Sequence, residues 1–137
     1  MNFDAIEAVR NVLIGSATLT ALVPVGQIIA ARGTLPVVYP AITLSEDFIE
    51  DGNSHIQEGL FYIRIYTQDS KKDRALSAIH NIVFPLVGRL GAYANITNAT
   101  VTFHEFRQVF GTQSIHEPEV DKDTWSLTTH YMCKVTI

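Results

Sequence analysis

The sequence predicts an α+β domain: an antiparallel sheet of about four to five strands with two main helices packed on one face. Periodicity is the first ground. Residues 3–14 and 71–86 carry apolar side chains at helical spacing, whereas 59–69, 99–110 and 124–137 alternate apolar and polar residues as strands do. Order is the second. Helix, strands, helix, strands packs most simply with the helices segregated to one side of an antiparallel sheet. Length is the third, since 137 residues suit one domain around one core.

Each element has its own signal. In FDAIEAVRNVLI, Phe3, Ile6, Val9, Leu13 and Ile14 form an apolar stripe, with Glu7, Arg10 and Asn11 opposite. Gly15 and Ser16 break it. Ser16 is placed to cap a short second turn, ATLTALV, which Pro24 closes. Gln27–Ala31 reads as a short strand and Val37–Ser45 as another, with Pro40 marking an edge, a bulge or a break. SEDFIEDGNSHIQE then reads as the long, solvated tip of a hairpin spanning residues 37–67, with Asp51-Gly52-Asn53 as its turn.

Ser70 is positioned to cap the next helix, whose face is Ala75, Leu76, Ile79, Ile82, Val83 and Leu86. Pro85 should kink or end it, with Gly88 and Gly91 as terminators. ATVTFHEFRQVF alternates with a slip near Phe106 that suggests a bulge. GTQSIHEPEVDKD reads as a polar loop. In TWSLTTHYMCKVTI, Trp125, Leu127, Thr129, Tyr131, Cys133, Val135 and Ile137 share one face of a half-buried strand.

Composition narrows the function classes. A hydrophobic fraction of 47% and a charged fraction of 18% describe a globular chain. The net charge of −4, with Lys71, Lys72 and Arg74 as the one basic cluster, argues against binding a nucleic-acid backbone as the main activity. A single cysteine, Cys133, fits a reducing compartment and reads as a small buried hydrophobe before a catalytic thiol. MNFDAIEAVR lacks the basic start and apolar run of a secretory signal, and no stretch approaches the ~20 apolar residues of a membrane helix. Two glycosylation sequons, at Asn95 and Asn98, read as chance matches.

Chemical signatures are missing. No phosphate-cradling glycine loop or nucleophile elbow occurs. The histidines, His55, His80, His104, His116 and His130, show no metal-ligand spacing, so no metal and no cofactor are expected. The acidic runs Ser45-Glu46-Asp47, Glu50-Asp51 and Glu117–Asp123 do not match a calcium loop and read as solvated, the last also as an interaction loop. An enzyme would have to assemble His104, Glu105 or His130 in space. The remaining question is GLFYIRIYTQD. Phe61, Ile63 and Ile65 face the core, and Tyr62, Arg64 and Tyr66 face the other way. Those are residue types of interface hot spots, and equally of a strand that stacks Tyr on Arg under water.

Four segments in order carry a resemblance: FDAIEAVRNVLIGSATLTALVP, LPVVYPAITL, FYIRIYTQDSKKDRALSAIHNIV and HYMCKVTI. Together the chain resembles the tail-completion or tail-terminator proteins of long-tailed bacteriophages, the lambda-type tail terminator and related tail-to-head joining proteins. The likeness covers nearly the whole chain and departs at Pro40, Pro85 and residues 111–124. It implies a non-enzymatic virion protein, assembled in the bacterial cytoplasm, that forms a ring, commonly hexameric. The ring caps the head-proximal end of the tail tube, stops its polymerisation and meets the head connector or neck protein. DNA passes through its lumen without specific binding. On that reading Tyr62, Arg64 and Tyr66 line a subunit interface or the outer wall. Glu117, Glu119, Asp121 and Asp123 reach the tube or connector, or face the channel. The alternatives are a neighbouring neck or adaptor protein, a small dimeric binding module, and a small enzyme.

Overall fold

Two long alternating strands organise the computed structural model, which describes residues 3–30, 38–50, 56–68, 74–88, 101–109, 113–116 and 124–136. Helix α1 (Phe3–Ile14) and helix α2 (Ala17–Leu22) lead through a 3-10 turn (Val25–Gln27) into β1 (Ile28–Ala30). Then come β2 (Ala41–Glu50), β3 (Ile56–Gln68), α3 (Arg74–Gly88), β4 (Thr102–Gln108), β5 (Gln113–His116) and β6 (Thr124–Thr136). The strands form one six-stranded sheet in the order β1-β2-β3-β6-β4. Its last position is shared end to end: β4 pairs with residues 131–136 of β6, and β5 with residues 125–128.

The α+β class holds, with two corrections to the sheet. It is mixed, because β1 runs parallel to β2 while every other pairing is antiparallel. It also has an additional strand, β5, in the stretch read as polar loop. Both β1 and β5 are too short to show a period, and each draws its hydrogen bonds from a strand already formed beside it.

Ser16 caps α2 as its residue type demands: its Oγ accepts the Leu19 N–H at 3.2 Å. Arg10, read as solvent-facing, instead ties α1 to the sheet, donating from Nε to the Ile28 carbonyl at 2.8 Å. β2 starts directly after Pro40, whose bond to Tyr39 is cis. β2 then runs on through Glu50, so Ser45–Glu50 belong to a strand and not to a solvated tip. Glu46 shows why the composition misled. It is 3% exposed, and its carboxylate accepts the Phe48 N–H at 2.7 Å. Residues 51–55, the expected turn, and Ser70, the expected cap, lie outside the described residues.

Helix α3 continues through Pro85 to Gly88 instead of stopping. Pro85 and Asn81, whose carbonyl loses its partner, are both exposed, so water can satisfy that oxygen. The buried stripe of Leu76, Ile79, Val83 and Val87 passes underneath undisturbed. The bulge in β4 falls between Phe103 and Glu105, earlier than expected. It lets Phe103 and Phe106 both point inward, as an edge-to-face pair 5.4 Å apart.

The core face reads across the sheet in rows. Ile42, Ile65 and Leu127 align, as do Leu44, Ile63 and Thr129, and then Glu46, Phe61 and Tyr131. Helices α1, α2 and α3 close over them in a single buried cluster. Each fully buried Leu, Ile, Val or Phe contributes about 1.5–3 kcal/mol. Gly59 leaves a gap in the row Phe48–Gly59–Cys133, and a Cβ there would lie 2.1 Å from the Asp47 carbonyl oxygen on β2. The close approach of β2 and β3 therefore needs glycine.

Candidate functional site

The opposite face of the sheet carries its polar side chains in equally regular rows. Arg64 stands between Thr43 on β2 and Thr128 on β6. Its Nε donates to Thr128 Oγ1 at 2.6 Å and its Nη1 to the Tyr66 hydroxyl at 3.2 Å. The guanidinium carbon lies 6.0 Å from the Tyr66 ring centroid, the outer limit of a cation–π contact. Arg64 is thus an exposed cation held in one orientation by Thr128 on the neighbouring strand β6 and by Tyr66 on its own strand.

Tyr62 and Tyr66 part company. Tyr62 is half-buried, with its ring edge-on to His130 at 5.2 Å. Tyr66 is only 2% exposed. Its cross-strand neighbours, Ala41 and Ser126, are small and buried, and Tyr39 meets its ring edge-on at 6.3 Å. Tyr66 is therefore a support for Arg64 and not part of the presented surface. His130 is held below its usual pKa, first by burial and then by the charge of Arg64, so near neutral pH it stays uncharged beside Tyr62.

Further along this face, Lys134 pairs with Glu58 at 3.5 Å and Arg107 with Glu105. Both pairs are solvent-exposed, and such pairs contribute about 0–1 kcal/mol. They stand beside Leu60 and Met132, at one end of the patch that holds Tyr62, Arg64 and His130. Glu117, Glu119, Asp121 and Asp123 lie outside the described residues.

The residues an enzyme would need are kept apart. His104 Nε2 lies 2.6 Å from Thr136 Oγ1, whereas His130 sits six residues away along β6, about 20 Å at strand rise. Glu105 is engaged by Arg107. Cys133 is buried, and burial pushes its thiol pKa up, away from the thiolate a nucleophile requires. Among the described residues no three His, Cys, Asp or Glu come together as a metal site, and no helix is long and apolar enough to cross a membrane.

One feature had no signal in the sequence. A cleft of about 290 Å³ opens at the end of the sheet between α2, α3 and the Tyr39-Pro40 segment. Leu22, Tyr39, Pro40, Thr67, Ala78 and Ile79 are among its walls. These residues come from four separate stretches, and only the folded chain joins them.

No protein-family model matches this chain, and no curated protein matches it either. Among solved structures it is similar to a chain of the virion of a native gene transfer agent particle, with a TM-score of 0.73 at 17% sequence identity. The likeness covers 96% of this chain and 94% of that one. At that identity the likeness is one of fold, and it takes in nearly every element described above, from α1 to β6.

Proposed function

We propose that this protein is a structural component of a phage-like virion, and within it the ring-forming terminator of the tail. The ring caps the tube, stops its growth and joins it to the head connector. The observation that carries this reading is the end-to-end fold match to a chain of a gene transfer agent virion. The open sheet face supports it. An immobilised arginine beside a tyrosine and a histidine, with two exposed ion pairs at one end, has the make-up of an interface. A closed ring needs such a face on each subunit and a different complementary surface on the next. The acidic stretch Glu117–Asp123 would face the tube, the connector or the DNA channel. The net charge of −4 suits a lumen through which DNA passes without sticking.

The test is native mass across a concentration series, with negative-stain images of the largest species, followed by addition of tube protein. Closed rings that arrest tube growth are expected. A strict dimer at every concentration supports the accessory-module reading instead. Tyr62→Ala combined with Arg64→Glu should abolish rings, each hot-spot loss costing about 2 kcal/mol or more per contact, while far-UV dichroism stays unchanged. Rings that persist in this double variant would overturn the interface assignment. Tyr66 is left intact in the test because it is buried.

A further inference from the structure

Ile49 is the most exposed large apolar side chain among the described residues, at 76%. It lies near the far end of β2, on the same face as exposed Asp47. The cleft lies at the other end of the same two strands, where Pro40 precedes β2 and Thr67 nearly ends β3. Ten residues of β2 separate the two places by about 30 Å. A molecule therefore cannot fill its own cleft with its own Ile49.

The two ends are chemically matched. The cleft has apolar walls in Leu22, Pro40 and Ile79 and a small one in Ala78. Its Thr67 is 2% exposed, and the hydroxyl has no hydrogen-bond partner among the described residues. Beyond Leu44, β2 has no strand on its outer side among the described residues, because β1 pairs only with Ile42–Leu44. An incoming copy of that segment brings main-chain donors and acceptors as well as an apolar side chain. The sequence charges on the two sides are opposite: Ile49 sits among Asp47, Glu50 and Asp51, whereas Lys71 and Lys72 precede α3 in the chain.

We infer that Ile49 at the end of β2 in one copy of this chain seats in the cleft between α2, α3 and Tyr39-Pro40 of the next copy. The inference rests on the ring reading and names one of its contacts. The contact is head-to-tail, joining two different surfaces, and such contacts form rings when the rotation closes.

The full chain carrying both Ile49→Cys and Ala78→Cys tests it. Both positions are exposed, so the fold should tolerate the changes, and buried Cys133 should not compete. Under mild oxidation or a short thiol-to-thiol linker, covalent multimers beyond the dimer should appear on denaturing gels. Neither single variant can exceed a dimer. A second variant, Ile49→Asp, should raise the concentration needed for assembly at least tenfold with an unchanged melting temperature. Rings without a covalent ladder would overturn the contact and leave the ring reading standing. A ladder in open filaments would support the contact and overturn closure. No rings from the unsubstituted chain and no ladder would overturn both.

Discussion

Gly59 shows how much a single atom decides. Its φ of 157° and the 2.1 Å that a Cβ would leave to the Asp47 carbonyl place the clash on backbone, which cannot rotate away. Gly59→Ala should cost roughly 1–3 kcal/mol in urea unfolding, the range for overpacked and strained sites. Gly26→Ala, where a Cβ meets nothing within 4 Å, is the control and should stay within about 0.5 kcal/mol. Histidine sets the pH response. Burial lowers the pKa of His80 below its ordinary 6.5, and its Nδ1 has no hydrogen-bond partner among the described residues. His130 is lowered too, by burial and then by Arg64. The unfolded chain therefore binds these protons first. The stability from keeping both rings neutral is complete above about pH 6.5 and is lost as pH falls below it. Melting curves from pH 8 to 5 should show that decline, and His80→Gln should flatten it.

Among the elements, those with a sustained period were readable before folding. Helix α1, β3, β6 and the buried stripe of α3 stand where spacing put them. The departures share a physical cause: composition reports polarity, whereas pairing and burial depend on geometry. Glu46 and Asp47 looked like solvated tip, yet an acid can sit inside a strand when its carboxylate takes up a main-chain N–H. Gln113–His116 looked like loop because β5 owes its existence to β6. Pro85 signals a kink or an end; the helix does not end there, because a proline on the wet side of a helix costs only local hydrogen bonding. Replacing it should therefore help. Pro85→Ala should stabilise the protein by about 1–2 kcal/mol, less than the ~3 kcal/mol helix penalty because proline also restrains the unfolded chain. An increased urea midpoint with an unchanged slope would establish it. At the candidate site, alternation put Tyr62, Arg64 and Tyr66 on one face correctly. It could not show that Tyr39 covers Tyr66, because that contact joins residues 27 apart in sequence.

For the whole molecule, the pairing of strands has a consequence in time. β6 is the last of the strands in chain order, yet it lies inside the sheet, with β3 on one side and β4 and β5 on the other. All thirteen residues of β3 pair with β6 on one side, whereas β2 pairs with ten of them on the other. As the polypeptide emerges from the ribosome, β1, β2 and β3 can assemble early, but they present a long raw edge until residues 124–136 arrive. β4 and β5 wait for the same strand, since among the described residues neither pairs with another. The nascent chain is therefore most exposed to chaperones and proteases just before synthesis of β6. Completion of the sheet then comes as one late event, long-range and slow by the standards of local structure.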